Sequence, residues 1–169
     1  MTALGESVSQ THDEHIATVA ALVALDHLVD ADERGDEPAA QACLDKVMTE
    51  FVFRKAPSAA PYPMLAATRL AILCGVLVRQ TADRLTADAC PDHQYGIRRI
   101  VGGRTWDTLD AHDQVALGAV VTAMNGQWND AHQLLYRYAL ATGPSAMTQT
   151  FVSLLAMRRD SRDERPRPM

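Results

Sequence analysis

Each of the six histidines lies within two residues of an aspartate: His12, His15, His27, His93, His112 and His132. Two pairs read His-Asp directly, His12-Asp13 and His112-Asp113. Neutral imidazoles and carboxylates are the ligands that a hydrolytic divalent metal takes, so the chemistry on offer is metal-assisted hydrolysis. Position argues for another role. His12 and Asp13 fall inside Thr11-His-Asp-Glu14, a Ser/Thr-x-x-Glu capping box. Asp110 and Asp113 fit the cap and third position of a helix, Asn129 or Asp130 suits the cap of the next, and Asp92 follows Pro91 in a turn. No isolated histidine precedes His112-Asp113 at a helix-length distance. The reading is therefore no metal and no cofactor.

Asp26-His27-Leu-Val-Asp30 is less readily assigned to a cap. At about 100° per residue, Asp26 falls in the middle of an arc formed by Ile16, Val19, Leu22, Val23 and Val29, and Asp30 lies close to it. Arg69 falls likewise among Leu65, Ile72, Leu73 and Val76. If those arcs face inward, the charges must be paired or hydrated. The first expectation is a structural Asp26–Arg69 pair. The alternative is an interior polar site in which Asp26, His27, Asp30 and Arg69 meet a ligand, since Asp-x-x-x-Asp puts both carboxylates on one helix face.

The third cluster is Tyr95-Gly-Ile-Arg98-Arg99-Ile-Val-Gly-Gly-Arg104-Thr-Trp106. Arginine and aromatic side chains dominate binding hot spots, and glycine lets backbone approach an anion closely. Tyr95, Arg98, Arg99, Arg104 and Trp106 are the candidate binding residues, with the adjoining start of the fourth helix. Long irregular stretches inside helical domains are uncommon and often functional. A positive cluster on a negative chain favours an acidic partner. The chain shows no Ser/His/Asp or Cys/His nucleophile pattern and no Gly-x-x-x-x-Gly-Lys phosphate loop.

The elements that carry these residues are helices. Alanine and leucine abound, aromatics are 5% of residues, and few runs alternate with period two. The expected helices span about 11–32, 38–55, 64–85, 109–124, 130–141 and 145–159. Residues 1–10 and 160–169 read as flexible tails around a single domain over 11–159. The first and third helices are apolar almost all round, which suits central positions.

Two stretches share a pattern. Gly35, Ala40, Cys43, Leu44 and Val47 are spaced as Gly126, Ala131, Leu134, Leu135 and Tyr138. Upstream, Leu25, Leu28 and Val29 match Leu117, Val120 and Val121 once one residue is dropped. Downstream, Pro63, Leu70, Leu73 and Cys74 match Pro144, Phe151, Leu154 and Leu155. This predicts two helix trios packed as one bundle or short solenoid. Residues 114–144 resemble a tetratricopeptide repeat in Leu117-Gly118, Gly126, Ala131, Leu135 and Pro144. Gln114 and Val121 stand where that family has tryptophan and tyrosine, and the spacing is one that any two helices packed around small residues share.

A formal charge of -5 gives no electrostatic case for nucleic acid or an anionic membrane. Three cysteines cannot all pair, and no Cys-x-x-Cys occurs, which fits a reducing cytoplasm. Met1–Gln10 lacks a basic start followed by an apolar run, so no secretory signal is read there. Two lysines against fourteen arginines, with abundant alanine, suggest a GC-rich bacterial source. The expected function is a non-catalytic cytoplasmic interaction or regulatory protein, partnered by another protein of acidic character and able to form a homodimer. The alternative is a small-molecule-binding or catalytic helical bundle that uses the interior polar site.

Overall fold

The computed structural model describes residues 3–55, 61–87, 95 and 106–161, with side chains from His12 onward. Regular structure among them is entirely helical: α1 (Ala3–Arg34), α2 (Glu37–Val47), a π-helical turn (Met48–Val52), α3 (Tyr62–Thr86), a short 3-10 turn (Trp106–Thr108), α4 (Ala111–Met124), α5 (Trp128–Thr142) and α6 (Pro144–Asp160). The chain is all-α. Where the sequence reading has one domain, the contacts divide it into two compact units, Met1–Ser58 and Ala59–Met169.

The first unit is the α1–α2 hairpin. α1 begins at Ala3, well before the expected start, so Thr11–Glu14 sits inside the helix and residues 3–10 are helical rather than a loose tail. Its buried face is Ala21, Ala24, Leu25, Leu28, Val29 and Ala31. Ile16, Val19 and Val23 are about half exposed, at 53%, 48% and 51%. Three of the largest apolar side chains thus point outward, while alanines carry much of the contact. The distance between two helix axes is set by the side chains at their contact, and small ones let the backbones come close. α2 is capped by Asp36, whose carboxylate accepts from the Ala39 amide (3.2 Å), with Pro38 in the first turn as expected. The π-turn then shifts the helical phase, so that adjacent Phe51 and Val52 are both buried.

In the second unit α3 packs against α4, α5 and α6, and α4 against α5 and α6. α3 is long and apolar enough to cross a membrane, yet over half of its apolar window is buried in the protein. Ala66, Ala67, Leu70, Leu73, Cys74, Leu77 and Val78 face inward with Phe151 and Leu154 of α6.

The two hairpin turns are built alike. The Gly35 amide donates to Asp32 O and the Asp36 amide to Ala31 O; the Gly126 amide donates to Ala123 O and the Gln127 amide to Thr122 O. This is the Schellman helix ending, which needs positive φ at its glycine, and φ is 70° at Gly35 and 76° at Gly126. The repeat needs no dropped residue. Buried Leu25, Leu28 and Val29 stand at the same distance before Gly35 as buried Ala116, Ala119 and Val120 before Gly126, whereas Leu117 and Val121 are only half-buried. Gln127, not Asn129 or Asp130, takes the cap position of α5. α3 groups with α4–α6 in the second unit, while the first hairpin forms a unit of its own.

Burial holds the Cys74 thiol well above its ordinary range by disfavouring the thiolate. Above about pH 8.5 the unfolded thiol loses its proton while the folded one keeps it, so folding stability must fall as pH rises. Urea unfolding between pH 8.5 and 10 is expected to show a downward slope of up to about 1.4 kcal/mol per pH unit from this group. Cys74→Ala should remove that part of the slope; equal slopes in both proteins would contradict the burial.

Candidate functional site

The two described ends of the arginine-rich segment both rest on α4. The Tyr95 amide donates to Asn125 Oδ1 (2.7 Å), and Asn125 Nδ2 donates back to Tyr95 O (2.9 Å). Asn125 is the C-cap of α4, so this two-way bond ties the segment to the helix end. At the other end, Gln114 Nε2 donates to Trp106 O (2.9 Å). The indole lies against the open backbone at Gly118, where a built Cβ would be 3.7 Å from Trp106 Cη2 and 3.4 Å from Leu134 Cδ2. Arg98, Arg99 and Arg104 lie outside the described residues. The described neighbourhood of Trp106 is acidic, with Asp107, Asp110 and Asp113 on the 3-10 turn and the start of α4.

The interior polar site is not interior. Asp26, His27 and Asp30 are all exposed on α1. Of the arc around Asp26, Ile16, Val19 and Val23 are exposed, Leu22 is half-buried, and only Val29 faces the interior. Arg69, by contrast, is 2% exposed on α3, in the other unit. Asp26→Ala is therefore expected to change stability by no more than about 0.5 kcal/mol, as exposed substitutions do.

Asp110, His112 and Asp113 offer ligand atoms within 4.8 Å of one another. His112 Nε2 lies 3.7 Å from Asp113 Oδ1, which also accepts from the Ser153 hydroxyl (2.5 Å). That bond joins α4 to α6. The trio stands at the start of α4, tethered to α6 through Ser153.

Two features escaped the sequence reading. The first is a cavity of about 230 Å³ between α1 and α2. Ala17, Ala20, Ala21 and Ala24 form its floor, with Val47 and Phe51; Lys46, Glu50 and Arg54 border it. Lys46 is on α2, Glu50 on the π-turn and Arg54 just beyond it. The π-turn supplies Glu50 and Phe51, and π-turns inside helices occur frequently at functional sites. The alanine spacing 17, 20, 21, 24 was the available signal.

The second is the seam between α3 and α5. The Arg79 guanidinium sits 5.1 Å from the centroid of the Trp128 ring, a cation–π contact. One helical turn along, the His132 ring covers Gly75 of α3 so closely that a built Cβ would be 2.6 Å from its Cε1. These two contacts define an antiparallel register. Carried one and two turns further, it sets Tyr136 level with buried Ala71, next to Ile72, and Leu140 level with buried Ala67, next to Thr68. Ile72 (48%), Tyr136 (47%), Leu140 (46%) and Met64 (46%) are all exposed large apolar side chains of these two helices. The four-residue spacing of Trp128, His132, Tyr136 and Leu140 is the signal in the sequence that marks this ridge.

No family model matches the chain, and no curated protein or solved structure is similar to it at a significant level.

The His132–Gly75 contact makes a sharp prediction. Alanine at position 75 must displace the imidazole. With His132→Ala already in place, Gly75→Ala should instead stabilise by about 0.5–1 kcal/mol through helix propensity. A double-mutant cycle in urea is expected to show coupling of at least about 0.5 kcal/mol; additive effects would mean that the ring does not lie there.

Proposed function

We propose that this chain is a non-catalytic helical interaction protein of the cytoplasm, with a regulatory role, whose partner-binding face is the α3–α5 seam. One observation carries the proposal: Met64, Ile72, Tyr136 and Leu140 are exposed along two neighbouring helices, beside the Arg79–Trp128 pair. Contiguous exposed apolar side chains with a polar rim mark interaction sites, and tyrosine, tryptophan and arginine are the residues that dominate their energetics. An amphipathic helix of the partner suits such a seam, because apolar residues at i, i+3, i+4 and i+7 fill a groove between two helices. Arg79 and Arg137 on the exposed surface of α3 and α5, with the arginines of the 95–106 segment, favour acidic residues on that partner.

The test uses the full chain as bait. Partners captured by the wild-type protein are purified and titrated against Ile72→Asp/Tyr136→Asp by calorimetry. Both positions are exposed, so helix content should be unchanged. The affinity is expected to fall at least tenfold. Equal affinity for a correctly folded double variant would place the interface elsewhere, first at the 95–106 segment.

The α1–α2 cavity favours a second reading, a small-molecule-binding protein. Lys46 and Arg54 beside an apolar floor suit a small molecule with an apolar body and a carboxylate. A ligand that binds only the folded state raises its unfolding midpoint, and Ala20→Phe, which fills the floor, should abolish such a shift.

A further inference from the structure

The cavity between α1 and α2 lies wholly within the first unit, and three charged residues border it: Lys46, Glu50 and Arg54. Its volume is about 230 Å³. Pockets that enclose drug-sized ligands run to about 300–1,000 Å³, so the occupant that fits here is smaller. The floor is apolar, with Ala21, Ala24, Val47 and Phe51 buried beneath it. A short aliphatic group suits that floor.

The border sets the chemistry of the other end. Two cations and one carboxylate line a space that a single small molecule fills. A plain carboxylic acid suits Lys46 and Arg54, but it brings its negative charge into the same small space as Glu50, and like charges held together oppose binding. A plain amine meets the converse difficulty with Lys46 and Arg54. A carboxylate and an ammonium on one carbon satisfy all three residues: the carboxylate accepts from Lys46 and Arg54, and the ammonium donates to Glu50. An aliphatic chain on the same carbon then fills the floor. We infer that the cavity binds a free α-amino acid with a small aliphatic side chain, of the leucine, isoleucine or valine kind. The inference rests on the small-molecule reading of this cavity and adds the ammonium to it, with Glu50 as the residue that selects for it.

Calorimetry on the full chain is the test. The probes are L-leucine, L-isoleucine and L-valine, with isocaproate, which has leucine's skeleton without the ammonium, and L-leucinamide, which lacks the carboxylate. An amino acid of the three is expected to bind one per chain and to raise the unfolding midpoint, as a ligand of the folded state does. Isocaproate and leucinamide are expected to bind at least about tenfold more weakly. Glu50 is exposed, so Glu50→Gln should leave helix content unchanged. It should weaken the amino acid at least about tenfold and leave isocaproate no weaker. Isocaproate binding as tightly as the amino acids would keep a carboxylate site and overturn the inference. Leucinamide binding as tightly would point to a peptide N-terminus and overturn it likewise, as would amino-acid binding that survives Ala20→Phe. Failure of every probe at millimolar concentration would overturn both the inference and the small-molecule reading.

Discussion

The interior of this protein is lined with small side chains, and the rest of its structure follows from that. Ala66, Ala67, Ala71 and Gly75 on α3, Ala116, Ala119 and Ala123 on α4, and Ala131 and Ala139 on α5 occupy helix contacts in the second unit. Ala21, Ala24 and Ala31 do so on α1 in the first. Helices that meet through alanine and glycine approach closely and leave little room for bulky residues between them. Leucine and phenylalanine enter the core where space allows, as at Leu70, Leu77 and Phe151. Other bulky apolar residues remain at the surface, among them Ile16, Val19, Val23, Ile72, Tyr136 and Leu140. The exposed apolar side chains of α1, α3 and α5 are consequences of this arrangement.

The same constraint explains what could be read from the sequence. The helices were legible because their boundaries carry local chemistry: Asp36 and Pro38 start α2, Gly35 and Gly126 end α1 and α4, and Pro144 opens α6. The inner face of α1 was not legible. Bulk normally marks the buried side of a helix, and here α1 has bulk on both sides, with Leu25, Leu28 and Val29 buried and Ile16, Val19 and Val23 exposed, so Asp26 reads as interior although it is exposed. The same preference for bulk pairs Leu117 with Leu25 and Val121 with Val29, while the buried positions at those distances from Gly126 are Ala116 and Val120. The π-turn at Met48–Val52 has no sequence signature of its own, so the shift that buries Val52 was invisible, and with it the charged border of the cavity.

The candidate segment has two described residues, at its ends. Tyr95 and Trp106 are both fixed to α4, one through Asn125 and the other against Gly118. The seam was missed because its residues are dispersed over two helices separated by more than thirty positions. The antiparallel register, defined by Arg79 over Trp128 and His132 over Gly75, is what brings these two helices side by side.

The claim that buried alanines set the helix contacts while Ile72 and its like stay at the surface is tested most directly by comparing two substitutions of opposite kind in urea unfolding. Ala119→Leu adds an apolar side chain at a fully buried contact on α4, and Ile72→Lys removes one from an exposed position on α3. By conventional hydrophobicity the first should be harmless and the second costly. The account predicts the reverse: Ala119→Leu loses about 1–3 kcal/mol by overpacking, and Ile72→Lys changes stability by no more than about 0.5 kcal/mol. A stable Ala119→Leu together with a strongly destabilised Ile72→Lys would contradict it.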